Sequence, residues 1–134
     1  MQDLHSNIKV VPALTPRAAI ATDTTTAGSE VDLQGYESCT FVIASGVLTD
    51  GSYTPLIEES DTSGSGYTAV ADADLISTEA AEAFALTDDG EVHKIGYVGH
   101  KRYVKLSIVS ASTTSGGFLA AVAVLSAARH AAVA

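Results

Sequence analysis

Short runs of alternating apolar and polar residues, broken by clusters of Gly, Ser, Thr and Asp, set the pattern of this chain. The clearest is RYVKLSIVS (102–110). On an extended strand Val104, Leu106 and Ile108 face one way and Tyr103, Lys105 and Ser107 the other. EVHKIGYV (91–98) precedes it, and Gly99, His100 and Lys101 between the two have the length and the glycine of a hairpin connection. ESCTFVIAS (37–45) alternates too, with Cys39, Phe41 and Ile43 on one face and Ser38, Thr40 and Val42 on the other. Because Val42 and Ala44 are apolar, that second face is expected to be partly covered as well. A turn at TDGS (49–52) leads into YTPLIEES (53–60), expected to pair with 37–45. Pro55 cannot donate to a ladder, so this strand should lie at an edge or carry a bulge.

The remaining segments read less sharply. Residues 61–78 form a long loop, of a length often functional. In STEAAEAFAL (77–86) Ala and Glu favour helix, yet the alternation around Phe84 favours a strand over 82–87 after one helical turn. The tripeptide Asp88-Asp89-Gly90 signals a turn. FLAAVAVLSA (118–127) reads as an Ala-rich helix or a buried strand; the missing cap and the short apolar run suit the strand. The tail 129–134 is expected to be loosely held. Pro12 and Pro16 interrupt the opening residues, so 1–16 reads as an extended N-terminal arm, with a short strand allowed at 8–11. About seven or eight short strands joined by turns predict an all-β fold, a jelly-roll-like β-sandwich forming one domain over 17–134.

Composition supports a single core. Leu, Ile and Val number 30 among 134 residues and Phe adds three, enough for an aliphatic interior. Cys39 is the lone cysteine, so no intrachain disulfide forms and nothing points to an oxidising compartment. The opening residues lack an apolar signal core, and FLAAVAVL (118–125) is too short to span a bilayer. A soluble product of the cytoplasm is therefore expected.

Charge changes the functional picture more. The net charge is −9; no Lys or Arg occurs from 18 to 93, and residues 50–91 hold eleven Asp and Glu. Such a surface repels nucleic acid. Against it stands a basic island: Lys94, Lys101, Arg102 and Lys105 are four of the seven Lys and Arg. It suits a solvated hairpin or a tip docking on an acidic neighbour better than a phosphate site, which wants aromatic stacking or a helix N-terminus.

Catalytic motifs are missing: there is no GxSxG, phosphate loop or dinucleotide fingerprint. Cys39 lies inside the strongest apolar strand as a small core residue. Glu58 and Glu59 point to opposite strand faces. His5, His93, His100 and His130 show no short ligand spacing, and Asp72 with Asp74 lacks the calcium-loop pattern. No enzyme, no cofactor and no metal site is expected.

Four stretches carry a resemblance: DLHSNIKVVPAL (3–14), QGYESCTFVIASG (34–46), KIGYVGHKRYVKLSIV (94–109) and the closing LAAVAVL (119–125). They resemble a group of small proteins encoded in the head-gene region of tailed phages and prophages, the capsid decoration or cement proteins. The resemblance implies a sandwich on the outer surface of an icosahedral virion capsid, made in the host bacterial cytoplasm. Its partners would be the major capsid protein and copies of itself, as a trimer ahead of a dimer, with no nucleic acid and no membrane. The arm would lie on a neighbouring subunit, with Leu4, Ile8, Val10 and Val11 as apolar anchors and Asp3, His5 and Lys9 as polar contacts. His100, Lys101 and Arg102 at the basic tip would add a second contact. Competing readings are a ring-forming head–tail completion or tail-tube protein, and a carbohydrate-binding module using Tyr36, Tyr53 and Tyr67.

Overall fold

The computed structural model describes residues 4–15 and 17–128, the last two by backbone only. Ten strands build two antiparallel sheets. In chain order these are β1 (Ile8–Leu14), β2 (Thr25–Asp32), β3 (Tyr36–Leu48), β4 (Ser52–Ser60) and β5 (Thr68–Ala69). There follow β6 (Leu75–Ile76), β7 (Phe84–Ala85), β8 (Val92–Tyr97), β9 (Tyr103–Ala111) and β10 (Gly117–Ala128). One sheet, A, has the order β1-β10-β3-β8-β6; the other, B, has β2-β9-β4-β5, with β7 also pairing with β4. The fold is an all-β sandwich.

Its pairings nest. β1 pairs with β10, β2 with β9, β3 with β8 and β4 with β7, outermost strand with outermost strand. Successive pairs alternate between sheet A and sheet B. The chain is thus one long antiparallel hairpin rolled into two layers, the strand order of a jelly roll.

This topology corrects two expected pairings. Segments 91–98 and 102–110 do not form a hairpin: β8 lies in sheet A and β9 in sheet B. Likewise β4 pairs with β9, not with the strand at 37–45. Alternation specifies which side of a strand meets the core but not its neighbour. In opposite sheets, the rows Ile95/Tyr97 and Val104/Leu106/Ile108 face each other across the interior and are buried.

The inner rows agree with the periodicity. Cys39, Phe41 and Ile43 are buried in β3, as are Leu119, Ala121, Ala123 and Leu125 in β10. β10 is a strand because it sits between β1 and β3 and bonds to both, and its small Ala123 lies directly beside Phe41. Pro55 is accommodated as a local edge. β4 meets β7 at 52–53 and β5 at 58–59, and Pro55 falls in the gap between them. In the same gap the Glu79 carboxylate accepts the Ile57 N–H at 2.6 Å, replacing a missing strand. The strand expected over 82–87 shortens to Phe84–Ala85, preceded by one turn closed from Glu82 N–H to Thr78 O. The long segment 61–78 splits between sheets, β5 extending one and β6 the other.

Of the opening residues His5–Asn7 form a single 3-10 turn, which corrects the expectation of an arm extended throughout, and 8–14 bond to β10 of the same molecule as the edge of sheet A. Asp3, Pro16 and the tail 129–134 lie outside the described residues. Among the described residues, no helix is long and apolar enough to cross a membrane.

Candidate functional site

The basic island divides: Lys101, Arg102 and Lys105 lie at or beside the corner where the chain crosses from sheet A to sheet B, and Lys94 lies within β8. Tyr97 organises the corner. The Tyr97 hydroxyl donates to Glu59 Oε1 at 2.7 Å and accepts the Lys101 N–H at 3.0 Å, so residues 98–101 close over its ring. Gly99 lies against that ring, where a Cβ would collide with it. Burial and then the Glu59 carboxylate push the Tyr97 phenol up, keeping it a neutral donor.

The charges at this corner are matched within the chain. Lys101 Nζ sits 2.7 Å from Asp61 Oδ2. Arg102 binds Asp32 through two hydrogen bonds of 2.9 Å, which hold the Asp32 carboxyl below its usual range. Lys105 lies 3.9 Å from Glu58 Oε1 and 4.5 Å from the Tyr67 ring centre. His100 is exposed. Three of the four basic residues are therefore half-neutralised before any partner arrives, which leaves little free field for phosphate.

A cleft of about 500 Å³ opens beside this corner, lined by Tyr36, Cys39, Asp61, Tyr97, Lys101 and Arg102 among others. Cys39 is the one thiol of its lining, and burial pushes that thiol up to about 12. At neutral pH it is a thiol, not the thiolate that attacks or ligates.

A second juxtaposition escaped the spacing argument. Asp88, Glu91 and His93 bring their ligand atoms within 4.8 Å of one another on the turn into β8. His93 Nδ1 lies 2.9 Å from the Glu82 carbonyl, which only accepts, so Nδ1 carries a proton. Nε2 faces Glu91 Oε1 at 3.1 Å, and the ring stacks on Phe84 at 4.0 Å between centroids. Burial works against the charged ring, but the Glu82 carbonyl and the Glu91 carboxylate outweigh it and raise its pKa. An imidazolium paired with a carboxylate accounts for this geometry. A divalent cation would have to displace the Nε2 proton. The only sequence trace was the D-x-x-E-x-H run across 88–93.

The arm residues named from the sequence do not converge on one point. Leu4, His5, Lys9 and Val10 are exposed, while Ile8 and Val11 are half-buried, Val11 packing against the core. His100, Lys101 and Arg102 belong to the separate corner between the sheets.

The broadest feature is the outer face of sheet A. Across the sheet, Val10, Val124, Thr40, Gly96 and Ile76 stand in one row. The next row is Pro12, Val122, Val42 and Lys94, and the next Ala120, Ala44 and Val92. Ile8, Ser126 and Ser38 close one end, with the two serine hydroxyls 2.7 Å apart. At the other end Phe118 lies beside Gly46, just as Ile76 lies beside Gly96, each in space that a side chain on the glycine would crowd. The expected partial cover of this face holds for Val42, which is half-buried, but not for Ala44, which is exposed. Val92 and Ile76 are 64% and 63% exposed. Lys94 is the single charged side chain of this face among the described residues. By contrast the outer side of sheet B carries Glu30, Asp32, Glu58 and Lys105.

No protein-family model matches the chain, and no curated protein matches it. Among solved structures it is similar to the SPBc2 prophage-derived protein YomS, with 12% identity. That likeness covers 89% of this chain and 92% of YomS at a TM-score of 0.41, too slight to carry function from one to the other.

Proposed function

We propose that this chain is a structural part of a tailed-phage virion, a decoration protein that binds the outside of the capsid and strengthens contacts between major capsid subunits. The observation that carries the reading is the contrast between its faces. Among the described residues, one broad sheet surface is apolar and exposed and the other is charged. Monomeric soluble domains rarely leave such a patch uncovered, so this surface belongs to a molecule that works by being held against protein. The four stretches that resemble cement proteins support a phage capsid as that partner.

In this reading the protein does no chemistry. It binds many equivalent places on the mature shell and stabilises each by RT ln(1 + [L]/Kd), since it has no such site on the opened shell. Leu4, His5 and Lys9, exposed around the start of β1, and His100 at the corner are the proposed contacts to the shell. Asp3 belongs to the same proposal. Lys101 and Arg102 would contribute only by exchanging Asp61 and Asp32 for a carboxylate of the neighbour.

Adding the purified protein to undecorated capsids tests this. Co-sedimentation in a fixed ratio to capsid subunits, with a rise in the temperature of DNA release, is expected. Absence of binding, or a six- or twelve-membered ring that binds only the portal end of the head, would overturn it.

A further inference from the structure

We infer that the outer face of sheet A is covered by the same face of a second copy, so that the working unit is a two-fold pair whose acidic outer sheets point away from each other. The inference rests on the reading of the sandwich as an assembly part, and adds the surface and the occupant.

Size is the first argument. Five strands about 4.8 Å apart and rows of side chains about 7 Å apart make a face of roughly 500 Å² in projection. That is as large as the biggest apolar patch an ordinary monomer tolerates, and it approaches the about 800 Å² per partner of a standard interface. Shape is the second. Gly46 and Gly96 leave room for Phe118 and Ile76, and apart from these two and Lys94 the surface is made mostly of small and β-branched side chains. Two such faces stack as sheets do inside a sandwich, about 10 Å apart.

Charge selects the partner. Each copy carries a net −9, so two copies repel through almost any other approach. Among the described residues this face holds no carboxylate, and its one cation, Lys94, stands at the rim. β6 pairs only with Tyr97 and Gly96, so β8 has a free edge beside Lys94, and the ammonium reaches solvent or a carboxylate at the partner's rim. The middle of the face, Val42 and Val122, is uncharged. One patch facing itself generates a closed two-fold dimer, whereas the trimer implied by the resemblance needs two different patches on each copy.

Sedimentation velocity on the full chain at micromolar concentration reads this directly. The wild type is expected at twice the chain mass. Val122→Asp puts a carboxylate at the centre of both apposed faces and is expected to weaken the dimer by about 100-fold or more while far-UV circular dichroism stays that of the wild type. Val92→Glu, on a residue already 64% exposed, reads the same surface without touching the interior. Val109→Asp, on the outer side of sheet B, is expected to leave the dimer intact. A monomeric or trimeric wild type, a Val92→Glu variant that stays dimeric, or dissociation by Val109→Asp alone would overturn the inference. A dimer that binds no capsid would leave this inference standing and remove the function above; a monomer that still coats capsids would do the reverse.

Discussion

At the scale of single residues, Gly28 is where one methyl group would matter most. A Cβ there would run into the carbonyl oxygens of Leu106 and Ala13, backbone atoms of the flanking strands β9 and β1 that cannot swing aside. β2 breaks register between Ala27 and Glu30 at this point, so the glycine sits in a bulge wedged between the two sheets. Gly28→Ala is therefore expected to destabilise the protein by at least about 2 kcal/mol in urea unfolding. Tyr97 is the polar counterpart. Tyr97→Phe keeps the packing but strips Glu59 of a donor and the Lys101 amide of an acceptor, a loss of about 1–2 kcal/mol. The same assay reads it, and a variant as stable as the wild type would show that the hydroxyl does not hold the corner.

At the scale of elements, the connection between β9 and β10 is held by carboxylates from elsewhere. Asp50, in the turn between β3 and β4, accepts the N–H groups of Ser115, Thr114 and Gly116, each at 2.9 Å. Asp23 accepts both the N–H and the hydroxyl of Thr113. These bonds hold both carboxyls below their ordinary range. A carboxyl depressed in the folded state contributes stability above its unfolded value, and that contribution is lost as pH falls through the folded value. Asp50→Asn is thus expected to lower the melting temperature at neutral pH, with the gap to wild type closing on acidification. A gap constant with pH would contradict the assignment.

The same elements show what the sequence discloses. The rows Cys39/Phe41/Ile43 and Val104/Leu106/Ile108 were legible because a strand's period of two maps directly onto inside and outside. The turns at Gly51 and Gly90 were legible for the same local reason, and both glycines adopt positive φ, 86° and 68°. Pairing was not legible. The five residues between Tyr97 and Tyr103 fit a hairpin loop and a crossing between sheets equally well, and only the packing of two layers decides. The bare face of sheet A was half legible. Val42 and Ala44 announced an apolar second side, but Val10, Val122, Val92 and Ile76 of the same face come from four other strands. The Asp88–Glu91–His93 group stayed hidden because its geometry depends on the turn that brings it together.

At the scale of the whole molecule, the rolled hairpin explains the division of labour between its surfaces. Nesting pairs place the two chain ends' strands, β1 and β10, in one sheet, while β2 and β4 bring Glu30, Asp32 and Glu58 to the other. Two faces of opposite character follow from the order of composition along the chain. A body with one face to be covered and another that repels its like is suited to repeated placement on a larger particle. The measurement that tests this most directly is electron-microscopic reconstruction of phage heads assembled with and without the protein. The account predicts additional density of sandwich shape at symmetry-related positions on the outer capsid surface, absent when the protein is withheld. Heads identical in the two preparations would contradict it.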